Sequence, residues 1–471
     1  MKPKASFFSW LGGWVDTVAP GRFFVLMAAV FGLIFILITP PFEAPDEPVH
    51  FFRSYQVSTL NLSVDKVGNT YGGVLPSSLQ ETVTKTWDNT AVRFHPNIKY
   101  PLHITKDVFS IKTTSKTQTY DFSTTAPYSP VSYIPQALGV GLARLLRMPP
   151  IMMMYLGRLF NLAAWIGMFY LAINLMPRKK WVIAFIGLIP MALFQASSLS
   201  SDVIAVGLLA VFMAWLFRLM EEKQPLTSKT IVKLGGLLIL LALSKQIMFL
   251  FVPLVLLLPG RLFQKSKKER LAKSLLILIP IFLFGLWMLH IKSIPLSNAT
   301  LPINPTEQIK HLILHPLHDL KVFINTYFFT WGDGIYRSFF GNFGWVDAPL
   351  SEGIVTVGYL AFFILLVANT QRAKVWLTAR QKLLMIVLGI IYIAAVSAAL
   401  YAYFTPLDYN IVVGLVGRYY YPFALLLVPL LYGDWLRMSK TAYRRVAVWS
   451  PIFLLVCSVI TIFVRYYINN V

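Results

Sequence analysis

The stretch that decides the fold runs from Phe23 to His50 and reads FFVLMAAVFGLIFILITPPFEAPDEPVH. Its first part, Phe23–Thr39, is apolar and long enough to cross a bilayer. A proline-rich turn follows at once and places three carboxylates and a histidine between Pro41 and His50. Ionisable side chains at a membrane boundary are unfavourable unless they serve a purpose, so they indicate a functional site. The alternative is a solvated loop that follows a signal anchor.

The composition is typical of a polytopic membrane protein. Of the 471 residues, 56% are hydrophobic and 13% are charged, whereas about a quarter of the residues in soluble domains are charged. The formal net charge is +22, but the basic residues cluster in short loops between apolar runs, which argues against nucleic-acid binding. The single cysteine, Cys457, excludes a disulfide framework and a cysteine-based metal site.

Apolar runs predict an all-α membrane protein with about eleven spans. The predicted spans are Phe23–Thr39, Ile151–Met176, Trp181–Phe194, Val203–Met220, Leu234–Leu243, Ile247–Pro259, Leu275–Ile291, Ile354–Ala368, Leu383–Tyr403, Leu415–Leu431 and Val446–Val464.

Loop charge predicts the orientation of these spans. If the N-terminus is cytoplasmic, every cytoplasmic loop is basic, as the positive-inside rule requires. These loops are 178–180, 218–233, 261–273, 372–382 and 437–445. Most carboxylates then face the other side of the membrane. The cytoplasmic loops are too short for a nucleotide-binding domain, and no Walker motif is present.

The predicted organisation has five parts. They are the N-terminus with the first span (1–40), a first extracytoplasmic loop (41–150), a bundle of spans (151–291), a second extracytoplasmic loop (292–352) and the C-terminal spans (353–471). Within the first loop, apolar side chains at helical spacing over Val131–Leu146 predict an interfacial helix. Arg144 and Arg147 near its end suit contact with anionic lipid.

Short motifs occur in order along the chain. Pro45-Asp46-Glu47 stands directly after the first span, with His50 and Arg53 behind it. The others are Pro130-x-x-Tyr133-x-Pro135, Gly157-Arg158-Leu159, the run from Ser197 to Asp202, Leu243-Ser244-Lys245, Gly344-Trp345-Val346-Asp347 and Gly417-Arg418-Tyr419-x-x-Pro422. This ordered set resembles a family of bacterial membrane proteins known as domain of unknown function 2142. Val416 and Ser201 depart from the family pattern, in which glutamine and asparagine are expected.

The layout is also similar to that of the GT-C glycosyltransferases. That resemblance implies a GT-C-like helix bundle in the bacterial plasma membrane and an extracytoplasmic active site. It implies inverting transfer of a sugar from a polyprenyl-phosphate donor to a cell-envelope glycan acceptor. No nucleic acid takes part, and the resemblance implies no particular cofactor, although a divalent metal ion is possible.

Such a transfer needs a base, which accepts the proton of the attacking hydroxyl group. Asp46 and Glu47 are the candidates, and the residues do not decide between them. His50 and Arg53 lie one helical turn apart, so both could face the same site as substrate-binding residues. Asp202 is a further candidate, or it could cap or pair inside the bundle.

The reaction also needs cations that stabilise the phosphate leaving group. Arg158, Lys245 and Arg418 are the candidates, because they lie near the predicted outer boundary and a guanidinium binds phosphate in a fork. Lys245 and Arg418 could instead be snorkelling anchors, and Arg158 could pair with a neighbouring acid. Tyr419 could stack on a sugar or belong to an aromatic belt.

Two further groups of candidates lie in the second loop. Trp345 and Asp347 are additional site candidates in the second loop. His311, His315 and His318 lie at helical spacing near Asp319. They could form a metal-binding face or the polar face of an amphipathic helix.

Other function classes remain open as well. A flippase or other transporter of lipid-linked saccharides would need charges deep within several spans. A non-catalytic subunit of an envelope glycan complex would have dispensable acids. A polysaccharide polymerase or ligase of a different fold is an alternative within the enzyme class.

Overall fold

Helices follow the apolar runs in the computed structural model, which describes residues 13, 15–67, 70–263, 265–292, 294, 303–372, 376–407 and 409–468. In chain order, the elements discussed below are α1 (Pro20–Ile38), α2 (Glu47–Ser58), β1 (Asp65–Val67), β2 (Thr70–Pro76), α3 (Ser77–Thr86), α4 (Leu102–Phe109), β3 (Thr117–Asp121), α5 (Ile134–Leu145), α6 (Pro150–Leu175), α7 (Lys180–Gly187), α8 (Pro190–Ala196), α9 (Asp202–Glu221), α10 (Ser228–Ser244), α11 (Ser266–His290), α12 (Pro305–Leu314), α13 (Pro316–Ile324), α14 (Gly332–Phe340), β4 (Asn342–Phe343), β5 (Ala348–Pro349), α15 (Glu352–Val367), β6 (Ala368–Asn369), α16 (Ala379–Phe404), α17 (Tyr421–Leu430), β7 (Leu436–Arg437) and α18 (Lys440–Tyr467).

Within the described residues, six helices are long and apolar enough to cross a membrane. They are α1, α6, α9, α11, α16 and α18. The prediction of an all-α, multi-pass membrane protein is therefore confirmed. The predicted cytoplasmic N-terminus, residues 1–12, lies outside the described part of the chain.

The count of eleven spans is not confirmed, although each predicted span falls on a helical segment. A crossing takes about 20 residues of α-helix, and several segments are shorter. Pro190 begins a new helix after α7, because proline cannot supply the amide that a continuous helix needs. The run after Lys245 forms a 3-10 helix of ten residues, Met248–Leu257, with Pro253 inside it.

The bundle has a central helix and peripheral ones. In the most apolar 18-residue stretch of α9, 78% of the residues are buried, whereas in that of α11 only 17% are buried. The seven residues of α8 are all buried. α9 therefore forms the core of the bundle, and α11 presents most of its apolar side chains outward, as a lipid-facing helix does.

The first loop folds around a three-stranded antiparallel sheet in the order β1-β2-β3. Gly72 of β2 pairs with both Asp65 of β1 and Asp121 of β3. Phe51 and Phe52 of α2 pack with other buried apolar side chains of this loop and with residues of α6. The loop is therefore attached to the bundle through a shared apolar core.

The predicted interfacial helix is α5, preceded by the 3-10 turn Pro130–Tyr133. Its outward face carries a stripe of exposed apolar side chains, Ile134, Leu138, Leu142 and Leu145, as a helix in a membrane interface does. The lipid contact of Arg144 stays a prediction, and the structure adds a contact within the protein. Its guanidinium donates to the Ser58 carbonyl oxygen at 2.7 Å, so it caps the end of α2.

The basic loops gather at the end of the bundle opposite to residues 41–150. There Arg178 pairs with Glu221 at 2.8 Å, and the short parallel strands β6 and β7 pair. Lys179 donates to the Leu365 carbonyl oxygen at 3.1 Å. We call this end the basic end, and the end that carries residues 41–150 the motif end.

Opposite orientation of the two ends can be tested by cysteine labelling. Ser115 in the first loop and Ser266 at the start of α11 are both exposed. In a Cys457→Ser background, a cysteine at position 115 is expected to react with an impermeant thiol reagent in intact cells. A cysteine at position 266 is expected to react only after lysis. Labelling of both positions in intact cells would contradict the predicted topology.

Candidate active site

Six of the predicted site residues meet at the motif end of the bundle. Asp46 precedes α2, and Asp202 is the first residue of α9. Lys245 directly follows α10, and Arg418 lies in the 3-10 turn Gly417–Tyr420 before α17. Helix ends that are far apart in sequence therefore bring two acids and two cations together, with His50 and Tyr419 beside them. We call these six residues the central cluster.

Asp202 lies in the middle of the charged groups. Its Oδ1 forms an ion pair with Lys245 Nζ, and its Oδ2 lies 3.9 Å from Arg418 Nε. Arg418 Nη2 lies 3.9 Å from Asp46 Oδ2. A distance of 3.9 Å is too long for a hydrogen bond. Arg418 Nε is buried and has no hydrogen-bond partner among the described residues.

Aromatic rings enclose the two cations. Lys245 Nζ lies 5.7 Å from the ring centroid of Tyr128 and 5.4 Å from that of Tyr419. Arg418 Cζ lies 5.5 Å from the Tyr419 ring centroid. These distances are within the range of cation–π attraction. The rings therefore help to hold two cations in a place with little water.

His50 faces the cluster from α2. Its Nδ1 lies 2.8 Å from the Tyr133 hydroxyl oxygen, and its ring stacks at 6.5 Å from the Tyr128 ring. Burial lowers the pKa of His50 to about 4, because desolvation disfavours the charged imidazolium. The imidazole is therefore neutral near pH 7. It can hydrogen-bond a substrate but supplies no positive charge to a phosphate.

Asp46 is the accessible acid of the cluster. Its side chain is 56% exposed, whereas that of Asp202 is 21% exposed. Its φ of 61° lies in the left-handed region, which aspartate tolerates better than most residues. The turn at Pro45-Asp46-Glu47 therefore aims one carboxylate out of the protein surface and the next one inward.

The first loop positions the two bundle residues Asp202 and Lys245 through hydrogen bonds to their neighbours. Ser129 Oγ donates to the Leu243 carbonyl oxygen at 2.6 Å. Gln136 Nε2 donates to the Ser200 carbonyl oxygen at 2.9 Å. The side chains that flank the Pro130–Pro135 motif thus fasten the segments that carry Asp202 and Lys245.

Close packing against the backbone of α14 explains why a glycine, Gly417, precedes Arg418. A Cβ atom at this position would lie 2.1 Å from the backbone nitrogen of Phe339, so any side chain would push α14 away. The Gly417 amide donates to Ser338 Oγ at 2.7 Å. This close approach holds the turn that carries Arg418 against the second loop.

Glu47 and Arg158 do not join the central cluster. They form a buried bidentate ion pair, in which Arg158 Nη2 lies 2.6 Å from Glu47 Oε2. Arg158 also donates to the carbonyl oxygens of Ile36, Thr39 and Pro40 at 2.9–3.2 Å. All of these groups are occupied with one another. The geometry favours a structural role for the pair, which ties α6 to the end of α1, over the predicted roles of base and phosphate ligand.

Loss of this ion pair is expected to destabilise the protein. Glu47→Gln leaves a buried guanidinium without its counterion, so the free energy of unfolding should fall by about 3 kcal/mol. Thermal unfolding in detergent measures the change. The matched control is Glu81→Gln, which removes an exposed pair with Lys85 and should have little effect. Normal stability with lost activity in Glu47→Gln would instead assign Glu47 to catalysis.

Arg53 is buried behind the cluster. Its guanidinium donates to Gln56 Oε1 and to the Leu62 carbonyl oxygen, the latter at 2.8 Å. It also lies 6.0 Å from the Tyr133 ring centroid. Arg53 and His50 therefore flank the same tyrosine, but Arg53 is held inside the loop and does not reach the central cluster.

Trp345 and Asp347 belong to a second group beside the turn. Trp345 Nε1 donates to the Phe42 carbonyl oxygen at 3.4 Å, and its ring lies 5.4 Å from that of Trp87. Asp347 pairs with Arg465 of α18 at 2.6 Å. These contacts fasten the second loop to the first and to α18, apart from the central cluster.

Glu43 is a buried acid of this second group. Its side chain is 0% exposed, and neither carboxyl oxygen has a hydrogen-bond partner among the described residues. Burial, together with the nearby Asp347 carboxylate, raises the pKa of Glu43 to about 8, although Arg465 and Arg93 oppose the shift. Glu43 is therefore largely protonated at neutral pH.

Protonation of Glu43 predicts that stability falls as the pH rises. The unfolded chain releases this proton near pH 4.5, whereas the folded protein keeps it until about pH 8. The free energy of unfolding contributed by Glu43 is complete below pH 4.5 and is lost between these two values. Glu43→Gln should therefore reduce the fall in unfolding temperature between pH 5 and pH 8. An unchanged fall would place the titration elsewhere.

Sequence reasoning missed three residues around the two groups. Tyr128 and Tyr133 line the central cluster, but the sequence indicates no role for them, although Tyr133 belongs to the motif Pro130-x-x-Tyr133-x-Pro135. Glu43 is one of the three carboxylates of the acidic turn, and its sequence position does not indicate that it is buried. Tyrosines near a predicted membrane boundary are ordinary, so only their position beside charged residues in three dimensions distinguishes them.

Comparison with known proteins identifies the family. A family model described as "Predicted membrane protein (DUF2142)" matches residues 29–427. The chain therefore belongs to this family, as the ordered motifs predicted. No curated protein and no solved structure shows a significant match.

Proposed function

We propose that this DUF2142 protein is a GT-C-type glycosyltransferase of the bacterial plasma membrane. It transfers a sugar from a polyprenyl-phosphate donor to a cell-envelope glycan acceptor at the extracytoplasmic face, with inversion. The motif end of the bundle is the extracytoplasmic end in this proposal. The central cluster is its active site.

The observation that carries the proposal is the relation between Asp46 and Arg418. An exposed carboxylate lies 3.9 Å from a mostly buried guanidinium whose Nε has no partner among the described residues. A buried donor without an acceptor is unfavourable, so the arrangement suits an anionic ligand that completes it. The site lies where α1 ends, at the depth of a lipid phosphate if α1 spans the bilayer.

The chemistry assigns one step to these residues. The acceptor hydroxyl oxygen attacks the anomeric carbon of the donor, and the bond between that carbon and the phosphate oxygen breaks. Asp46 takes the proton of the hydroxyl group. The polyprenyl phosphate leaves with the bonding electrons, and Arg418 and Lys245 stabilise its developing charge. A single displacement inverts the configuration at the anomeric carbon.

Comparison of the three nearby acids supports Asp46 as the base. Glu47 is buried and occupied by Arg158. Asp202 is paired with Lys245, which lowers its ability to take a proton. Among the described residues, Asp46 forms one ion pair, with Arg418 at 3.9 Å, and its carboxylate is open to a substrate.

Asp202 and the neutral His50 have supporting roles in this proposal. Asp202 orients Lys245 and Arg418 toward one place, because it pairs with the first and lies close to the second. His50 can hydrogen-bond the acceptor sugar without repelling the cations. Tyr419 and Tyr128 offer ring faces on which a sugar can stack.

The proposal is tested with purified full-length protein in lipid nanodiscs. Polyprenyl-phosphate sugars and nucleotide sugars are supplied separately with envelope glycan fragments, and released polyprenyl phosphate and glycosylated product are measured. The sugar is chosen from the glycan that a deletion strain lacks. We expect product only with the lipid-linked donor. Use of a nucleotide sugar without added lipid carrier would refute the donor class.

A further inference from the structure

A group of histidines and an acid lies in the second loop, outside the central cluster. His311 is on α12, and His318 and Asp319 are on α13. His311 Nδ1 lies 3.0 Å from Asp319 Oδ1 and 3.2 Å from Oδ2. His318 Nδ1 lies 3.3 Å from Asp319 Oδ1. One ligand atom from each residue falls within 4.8 Å of the others.

A corner between two helices creates this group. α12 ends at Leu314, and His315 leaves the helical conformation with φ −125° and ψ 48° before Pro316 starts α13. In one continuous helix, His311 and Asp319 would lie about 12 Å apart along the axis. The corner brings their side chains into contact instead.

We propose that His311, His318 and Asp319 bind a divalent transition-metal ion and that Zn²⁺ fits them best. Imidazole nitrogen and carboxylate oxygen are ligands that zinc prefers. In a tetrahedral site with bonds of about 2.0–2.1 Å, neighbouring ligand atoms lie about 3.3 Å apart. The two contacts to Asp319 Oδ1, 3.0 Å and 3.3 Å, are close to this spacing.

The surroundings of the group suit a bound ion. Asp319 is 2% exposed, whereas His318 is 57% exposed, so the ion would be anchored inside and open to water on one side. The Tyr401 hydroxyl donates to Asp319 Oδ1 at 2.9 Å. This bond orients the carboxylate so that Oδ1 faces both histidine nitrogens, as an outer hydrogen bond does in many metal sites.

A bound ion would connect the second loop to the bundle. Tyr401 belongs to α16, so the ion would fasten the corner of α12 and α13 to that helix. The segment after α13 contacts the turn that carries Arg418 and Tyr419, because the Tyr327 hydroxyl lies 2.6 Å from the Tyr420 hydroxyl. Tyr420 follows Arg418 and Tyr419 in the same turn. In this proposal the ion positions the second loop against the bundle. Binding of the ion can be tested without the transfer reaction.

The test uses the full-length protein with an affinity tag that contains no histidine. Chelator-treated protein is dialysed against Zn²⁺, and bound zinc and the unfolding temperature are measured. We expect one zinc per chain and a rise of about 2–4 °C in unfolding temperature. His318→Ala and Asp319→Asn should lose both effects.

His103→Ala is the matched control, because His103 is also an exposed histidine on a loop helix. It should keep both the stoichiometric zinc and the rise in unfolding temperature. His318→Ala changes an exposed side chain, so its metal-free unfolding temperature should equal that of the unchanged protein. Absence of bound zinc in the unchanged protein would overturn the proposal. Retention of zinc in His318→Ala, or equal losses in His318→Ala and His103→Ala, would overturn it too.

Discussion

Replacement of Asp46 by asparagine is expected to lower the rate of sugar transfer by at least about 100-fold, the lower end of what a general base contributes. Asparagine keeps the size of the side chain but cannot accept the proton of the attacking hydroxyl group. It also tolerates the left-handed backbone at this position, where φ is 61°, so the turn should keep its shape. The measurement is the initial rate of product formation in nanodiscs.

The matched control is Asp107→Asn in α4, because Asp107 is an exposed acid of the same loop. It should leave the rate unchanged. Expression and unfolding temperature of Asp46→Asn should match those of the unchanged protein. Near-normal transfer by Asp46→Asn would reject Asp46 as the base and would favour a non-catalytic role for the acidic turn.

Much of the fold could be predicted because apolar length and loop charge are written directly in the sequence. The run Phe23–Thr39 corresponds to α1, and Val203–Met220 lies within α9. The number of spans could not be predicted, because a broken pair such as α7 and α8 has the same composition as one continuous helix. Proline marks the break, but tertiary packing decides whether the pieces continue across the membrane.

The central cluster could be predicted from its position at the ends of apolar runs. Asp46 and Lys245 follow such runs and Arg418 lies near the start of one, Leu415–Leu431, so the predicted topology places all three at the same side of the bundle. The division of work between Asp46 and Glu47 could not be predicted. Adjacent residues at a helix start point about 100° apart, so one carboxylate faces outward while its neighbour is buried against Arg158.

The sequence also could not predict that Trp345 and Asp347 lie apart from the central cluster. Their partners are Trp87 in the first loop and Arg465 in α18, and both partners are remote in sequence. A short sequence motif marks candidate residues, but it does not show which residues elsewhere in the chain they contact. Glu43 shows the same limit, because its burial follows from packing among segments that the sequence does not connect.

Replacement of Arg418 by alanine is expected to lower the transfer rate by about 100- to 1,000-fold, since one preorganised charge at a developing negative charge contributes this much. The effect should fall on kcat more than on KM, because the phosphate gains charge in the transition state. Arg418→Lys should recover only part of the rate, since the forked geometry is lost. The measurement is the initial rate over a range of donor concentrations.

The matched control is Arg337→Ala in the second loop, because Arg337 pairs with Asp333 in an exposed ion pair and lies in no proposed site. Its rate should stay unchanged.

A double variant of Asp46 and Arg418 distinguishes two roles for the Arg418 guanidinium. If Arg418 serves only to hold Asp46 in place, Asp46→Asn and Arg418→Ala combined should be no slower than Asp46→Asn alone. If Arg418 binds the leaving phosphate, the double variant should be slower than either single variant. Full activity in Arg418→Ala would show that the leaving phosphate does not depend on the Arg418 guanidinium. The donor class would then still stand, and Arg418 would have the role of a membrane anchor.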